Sequence, residues 1–141
     1  DDLYALIRVR KHAVEQKQKV VAELYREAEK LETQKKTLLE QLSIERHTVD
    51  EMGVEALNYF GHYNKAVKER VEDIDEALGK LEVRIQIAQD NMREAYADLK
   101  KIEITQERRE DEERDEEKKN ESDALDEIAI DAYRRKMEET E

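Results

Sequence analysis

Few residues in this chain carry the chemistry of catalysis. Its three histidines, His12, His47 and His62, are isolated from one another, and none sits in the H-E-x-x-H pattern that puts two imidazoles on one helical face around zinc. Each is read as a surface residue, not as a ligand or base. Cysteine is absent, which removes a thiolate zinc site, a disulfide framework and a thiol nucleophile. Ser43 and Ser122 have no base at a plausible spacing. There is no Gly-rich phosphate loop. Carboxylates are plentiful, with 38 Asp and Glu, but a carboxylate becomes an acid or base catalyst only where a concave, drier site shifts its pKa. No catalytic residue, cofactor or metal is expected, and the chain is not read as an enzyme. The remaining chemistry is that of surfaces, with apolar stripes to be buried and charges to be matched.

Composition says which elements must carry those surfaces. The chain has 141 residues, 45% of them charged, 38% hydrophobic and 5% aromatic, with no Pro and three Gly. So few aromatics argue against a globular enzyme core, and so few breakers favour long helices. Abundant Ala, Glu, Lys, Leu and Arg at helical spacing is a coiled-coil composition, whereas without periodicity so charged a chain would be disordered. The net charge of −12 disfavours nucleic acid as a partner. No apolar run reaches membrane-spanning length, so no direct membrane insertion is expected, and no signal peptide or lipidation motif is seen. The absence of Cys fits the cytosol. The chain opens on Asp1, which leaves its native N-terminus open.

Periodicity decides for helices. Alternating steps of four and three pick out Leu3, Ile7, Arg10, Val14, Lys17, Val21, Leu24, Ala28, Leu31, Lys35, Leu38, Leu42, Glu45, Val49 and Met52, apolar except at Arg10, Lys17, Lys35 and Glu45. Branched residues fall at a (Ile7, Val14, Val21, Val49) and Leu24, Leu31 and Leu38 at d, a coiled-coil seam in one register. A second stripe keeps the same alternation through Leu57, Phe60, Asn64, Val67, Val71, Ile74, Leu78, Leu81, Ile85, Ala88, Met92, Ala95, Leu99 and Ile102. Asn64 either fixes register from within the seam or lies solvated near a helix end. Gly79, inside the second helix, costs about 1 kcal/mol against Ala, a cost that a close helix approach there would explain.

The two registers do not join. From Met52 to Leu57 the step is five, Gly53 sits at the break, and Thr48 or Asp50 could cap locally. The expected fold is all-α: a long antiparallel two-helix coiled-coil hairpin with an overhanging charged C-terminal helix. Its parts are a first coiled-coil helix over 1–52, a turn over 53–57, a second coiled-coil helix over 58–102, a charged helical overhang over 103–123 and an amphipathic segment over 124–141. Met52 would face Leu57, and Leu3 would face a position near Gln106. The rival is an uninterrupted helix in a parallel dimer with a one-residue skip at Gly53; the matched stripe lengths favour the hairpin.

Beyond Ile102 the apolar stripe stops. Between Glu103 and Asp123 only Ile104 is apolar, and the stretch holds about half of the net negative charge. It reads as a solvated or frayed helix, with Glu110–Arg114 and Asp115–Lys119 at a spacing that supports an exposed helix. Then SDALDEIAIDAYRRKM, residues 122–137, regains an apolar face of Leu125, Ile128, Ala129, Ala132 and Tyr133, with Ser122 as a candidate N-cap. That face either folds back on the N-terminal end of the first helix or docks into another protein as a helix in a groove. At that N-terminal end, LYALIRVRKH sets Arg8, Arg10 and Lys11 beside Leu3, Leu6 and Ile7, either a solvated face or part of a docking tip. Tyr4, Tyr25 and Tyr96 are read as flanking the seam. Tyr59, Phe60 and Tyr63 cluster by the turn, as a cover for the hairpin end or as a binding patch.

The order of these features resembles the FliJ family of flagellar export proteins, especially its more acidic branch. The carrying features are LYALIRVRK at the start, a heptad helix, an aromatic cluster after a break, and then AYADLKKIEITQERREDEERDEEKKNESDALDEIAI. The likeness covers nearly the whole chain and is most specific at Leu99–Glu103, Glu107–Arg108 and Leu125–Ala129. It implies a cytosolic component of the flagellar type III export apparatus, peripheral at the flagellar base on the inner membrane. It implies an antiparallel coiled coil similar to the central stalk of rotary ATPases. The implied partners are the hexameric export ATPase, at its central pore, the membrane export gate and export chaperones, in the service of flagellum biogenesis, motility and chemotaxis. By that likeness Leu3, Leu6, Arg8, Arg10 and Lys11, with Leu125, Ile128, Ala129 and Tyr133, would meet the ATPase. Phe60, Tyr63 and Val67 would face the gate. Gly61 and His62 among the aromatics, and the very acidic tail, depart from the family pattern. A stalk protein of a related injection system or rotary ATPase, or a self-associating coiled-coil scaffold, remains the alternative.

Overall fold

The computed structural model describes residues 2–140. It contains two long helices packed against each other, α1 (Tyr4–Met52) and α2 (Val54–Glu139), and no strand among the described residues. The chain divides into two compact units. One is His12–Tyr96; the other joins the chain up to Lys11 with the chain from Ala97 onward.

In the His12–Tyr96 unit, the three-and-four alternation is the burial pattern. Val14, Leu24 and Val49 of α1 and Val67, Ile74, Leu81 and Ala88 of α2 are buried, and the intervening seam positions other than Lys17 are half-buried. Leu24, Leu81 and Ala88 form a core cluster, with Val21, Ala28, Leu31 and Ile85 packed against it. Burying one such leucine contributes roughly 1.5–3 kcal/mol, so a few layers outweigh any propensity term. Lys35 stays half-buried because its Nζ meets Asp75 at 2.7 Å, whereas Lys17 is exposed. Outside the seam, the Gln89 side-chain amide donates to the Tyr25 hydroxyl at 2.6 Å, which places Tyr25 on the flank as its spacing requires.

Helix α1 ends where Gly53 takes a positive φ of 97°. That left-handed backbone is open to glycine at no steric cost, and it is the single residue between the two helices. Neither expected capping group holds the break: the Thr48 hydroxyl donates back to the Ile44 carbonyl at 3.0 Å. Met52 and Leu57 do not close the seam, being 69% and 53% exposed. The last layer instead uses buried Val49 and half-buried Phe60, since a one-residue reversal leaves the outermost turn facing water. Gly79 marks no close approach either. A methyl group added there would meet nothing within 4 Å, so its helix-propensity cost is uncompensated.

Candidate functional site

The unit that contains the N-terminus is built around a polar group. The Leu3 backbone N–H donates to Gln106 Oε1 at 2.9 Å, at the position the hairpin spacing sets opposite Leu3. Gln106 is 7% exposed, and its amide nitrogen donates in turn to Glu110 at 3.2 Å. The Tyr4 hydroxyl donates to the same carboxylate. That bond holds the Glu110 carboxyl below its usual range, with Gln106 adding to the effect, and raises the Tyr4 phenol above its ordinary value. The charge-assisted contact needs Tyr4 protonated and Glu110 ionised.

Sequence reasoning passed over this cluster because it followed apolar residue types. Gln106 stands four residues after Ile102, the next step of the same alternation, and that spacing was the available signal. A polar residue there ends the seam while still satisfying a backbone donor that would otherwise be lost. The cluster also redirects an expected ion pair. Glu110 is engaged with Tyr4, and Arg114 pairs with Asp111 at 2.8 Å instead.

Around this cluster, Leu3 is half-buried, Ile7 is buried, and Leu6, Arg8, Arg10 and Lys11 are exposed. Arg8, Arg10 and Lys11 are thus exposed basic residues near the start of α1, with Arg8 and Lys11 one turn apart. Helix α2 continues without interruption to Glu139, so Ser122 lies within a helix and caps nothing. From Asp111 onward every described residue is exposed. Leu125, Ile128 and Tyr133 are each about two-thirds exposed, and Ala129 lies open beside them. At 1.5 Å per residue, Leu125 lies roughly 28 Å along the helix from Gln106. The structure therefore does not bring the two groups of expected docking residues together. The C-terminal face does not fold back on α1 and is left unpartnered.

In the other unit, Phe60 and Tyr63 are half-buried and Val67 is 5% exposed. Tyr59 stacks on Tyr63 with ring centroids 6.4 Å apart. Phe60 and Tyr63 offer partial ring surface, whereas Val67 belongs to the seam beneath them. Among the described residues no group of His, Cys, Asp or Glu is arranged to hold a metal ion. No helix among them is long and apolar enough to cross a membrane. What the arrangement offers is a set of exposed basic side chains at the start of α1, one exposed amphipathic face on an acidic helix and one aromatic patch, each suited to a protein partner.

A family model described as flagellar FliJ protein matches residues 1–138. Comparisons with curated proteins and with solved structures give no significant match.

Proposed function

The chain belongs to the FliJ family of flagellar proteins and so to the flagellar export apparatus, and from that premise we propose that it works there as a stalk between the export ATPase ring and the membrane export gate. On this reading it is a cytoplasmic protein, peripheral to the inner membrane at the flagellar base, and export chaperones are a further partner class. Its seam is an antiparallel coiled coil. Support comes from the His12–Tyr96 unit, where Tyr25 meets Gln89 and Lys35 meets Asp75, so that moving up α1 means moving down α2. Leu125, Ile128, Ala129 and Tyr133 bind the ATPase ring, with apolar Leu3 and Leu6 and basic Arg8, Arg10 and Lys11 as a second part of that contact. Phe60 and Tyr63 meet the gate, and Val67 sets their position from below.

The observation that carries this reading is the unpartnered face of α2. Leu125, Ile128 and Tyr133 stay open on a helix with no described residue packed over them. Large exposed apolar side chains grouped on one helical face mark an interaction site. The test is co-sedimentation with the export ATPase of the same organism, with ATP hydrolysis followed in parallel. The intact chain is expected to co-migrate with an enlarged ATPase assembly and to speed hydrolysis. Removal of residues 122–141 should abolish binding and leave the helical melt of the remaining chain nearly unchanged. Equal binding by the shortened chain would overturn the assignment.

A further inference from the structure

One groove of the His12–Tyr96 unit has no part in these surfaces. Buried Leu24 and Ala88 form its floor, Val20 and Ile87 its walls, and Lys17 and Arg84 flank it. Val20 is 45% and Ile87 56% exposed, and Val83, one turn from Ile87, is 60% exposed. Branched side chains at solvent positions weaken a helix slightly, so nothing in local stability calls for three of them on one surface of a chain that is 45% charged.

The charges beside the groove are unmatched. Among the chain's 26 Lys and Arg, all but Arg8, Arg10, Lys17 and Arg84 have an Asp or Glu three or four positions away, the spacing at which helical side chains meet. Arg8 and Arg10 lie at the start of α1, outside this groove. Lys17 and Arg84 share this groove, and neither makes a hydrogen bond or ion pair among the described residues. Their neighbours at helical spacing are apolar, apart from Lys80 beside Arg84.

We propose that, where no ATPase holds it, the 121–133 stretch of α2 from a second copy of the chain occupies this groove. That stretch has the complementary chemistry. Leu125, Ile128 and Ala132 make an apolar stripe, Glu121, Asp123, Asp126, Glu127 and Asp131 surround it, and no Lys or Arg interrupts it. Both sides of the contact are exposed in the single chain. Each copy carries both the groove and the stretch, so the same contact is available twice between two copies. Because each chain carries a net charge of −12, general repulsion opposes pairing. Lys17 and Arg84 then select the acidic stretch where it can be met.

Sedimentation equilibrium of the intact chain alone tests this, so its outcome is independent of any ATPase. The weight-average mass should climb from the 16.8 kDa monomer toward twice that value with concentration. Lys17→Glu with Arg84→Glu should weaken pairing by roughly tenfold or more, with helical content unchanged by circular dichroism. Mixing that variant with one carrying Asp126→Lys and Asp131→Lys should restore it. A monomer at every concentration would overturn the proposal and leave the groove to an acidic helix from another protein. A dimer indifferent to the charge reversals, or one the mixture does not restore, would show that the second copy binds elsewhere.

Discussion

Helix α2 is stabilised in two different ways along its length. Between Val67 and Ala88, each step of three or four residues lands on a buried or half-buried side chain. Between Asp111 and Glu139 the same helical backbone continues and nothing is buried. In the first region packing does the stabilising, and residues of modest helix propensity such as Val67 and Ile74 are tolerated. In the second, stability rests on intrinsic propensity, on local pairs such as Arg114 with Asp111, and on elongation from a turn that is already formed, which avoids the nucleation penalty. A helix can thus be regular without a core. The region that lacks one leaves its apolar face free for a partner.

The sharpest way to break this comparison is to make one substitution in both regions. Leu81→Ala removes a side chain that is 3% exposed and should cost about 2–5 kcal/mol, read as a lowered thermal midpoint. Leu125→Ala, measured at a concentration low enough for the chain to be a monomer, should leave that midpoint within roughly 0.5 kcal/mol of the parent. Equal losses would mean that the C-terminal face is packed after all.

Next in size is the backbone. Glu116→Pro costs about 3 kcal/mol locally. It should remove helical signal and raise amide exchange in 111–139 while the main melt stays in place. A glycine pair divides more finely. Gly53→Ala forces a side chain into a left-handed backbone and should destabilise by about 1–2 kcal/mol. Gly79→Ala adds a methyl to open space inside a helix and should stabilise by about 0.5–1 kcal/mol.

The smallest expected effect is pH dependence at the N-terminal cluster. The folded pKa of Glu110 is depressed, chiefly by the Tyr4 hydrogen bond. Its contribution is therefore present above the ordinary glutamate value and lost as pH falls through the folded one. Tyr4 is raised, chiefly by the Glu110 hydrogen bond, so its contribution is present below the ordinary tyrosine value of about 10 and lost as pH rises through the higher folded value. Protection of the first α1 amides from exchange should fall at both extremes, and Tyr4→Phe should abolish the alkaline limb.

The seam was legible in the sequence because burial in a helix pair follows a fixed period, and Leu24, Ile74 and Leu81 fall on it. The end of the seam was less so. Gln106 obeys the period but not the residue type, and its burial depends on a donor at Leu3, more than a hundred positions away. Arg114 shows the same limit, since local spacing offers both Glu110 and Asp111, and Tyr4 removes one of them. The unpartnered C-terminal face was visible as an amphipathic pattern. Whether it folded back was not, because periodicity sets which residues share a face and says nothing of what covers it. The Lys17–Arg84 groove was hidden for a related reason, as only the packing of the helices puts Val20 near Ile87.

The open stretch of α2 also bears on how the protein survives handling. Arg114, Lys118, Lys119, Arg134 and Arg135 all lie in it, exposed and unsupported by a seam, so transient unwinding offers them to trypsin-like proteases. A cut at Lys118 or Lys119 would release the C-terminal face and leave the packed helices whole. The clipped material would keep the cooperative melt of the packed helices, and fail only when asked to bind.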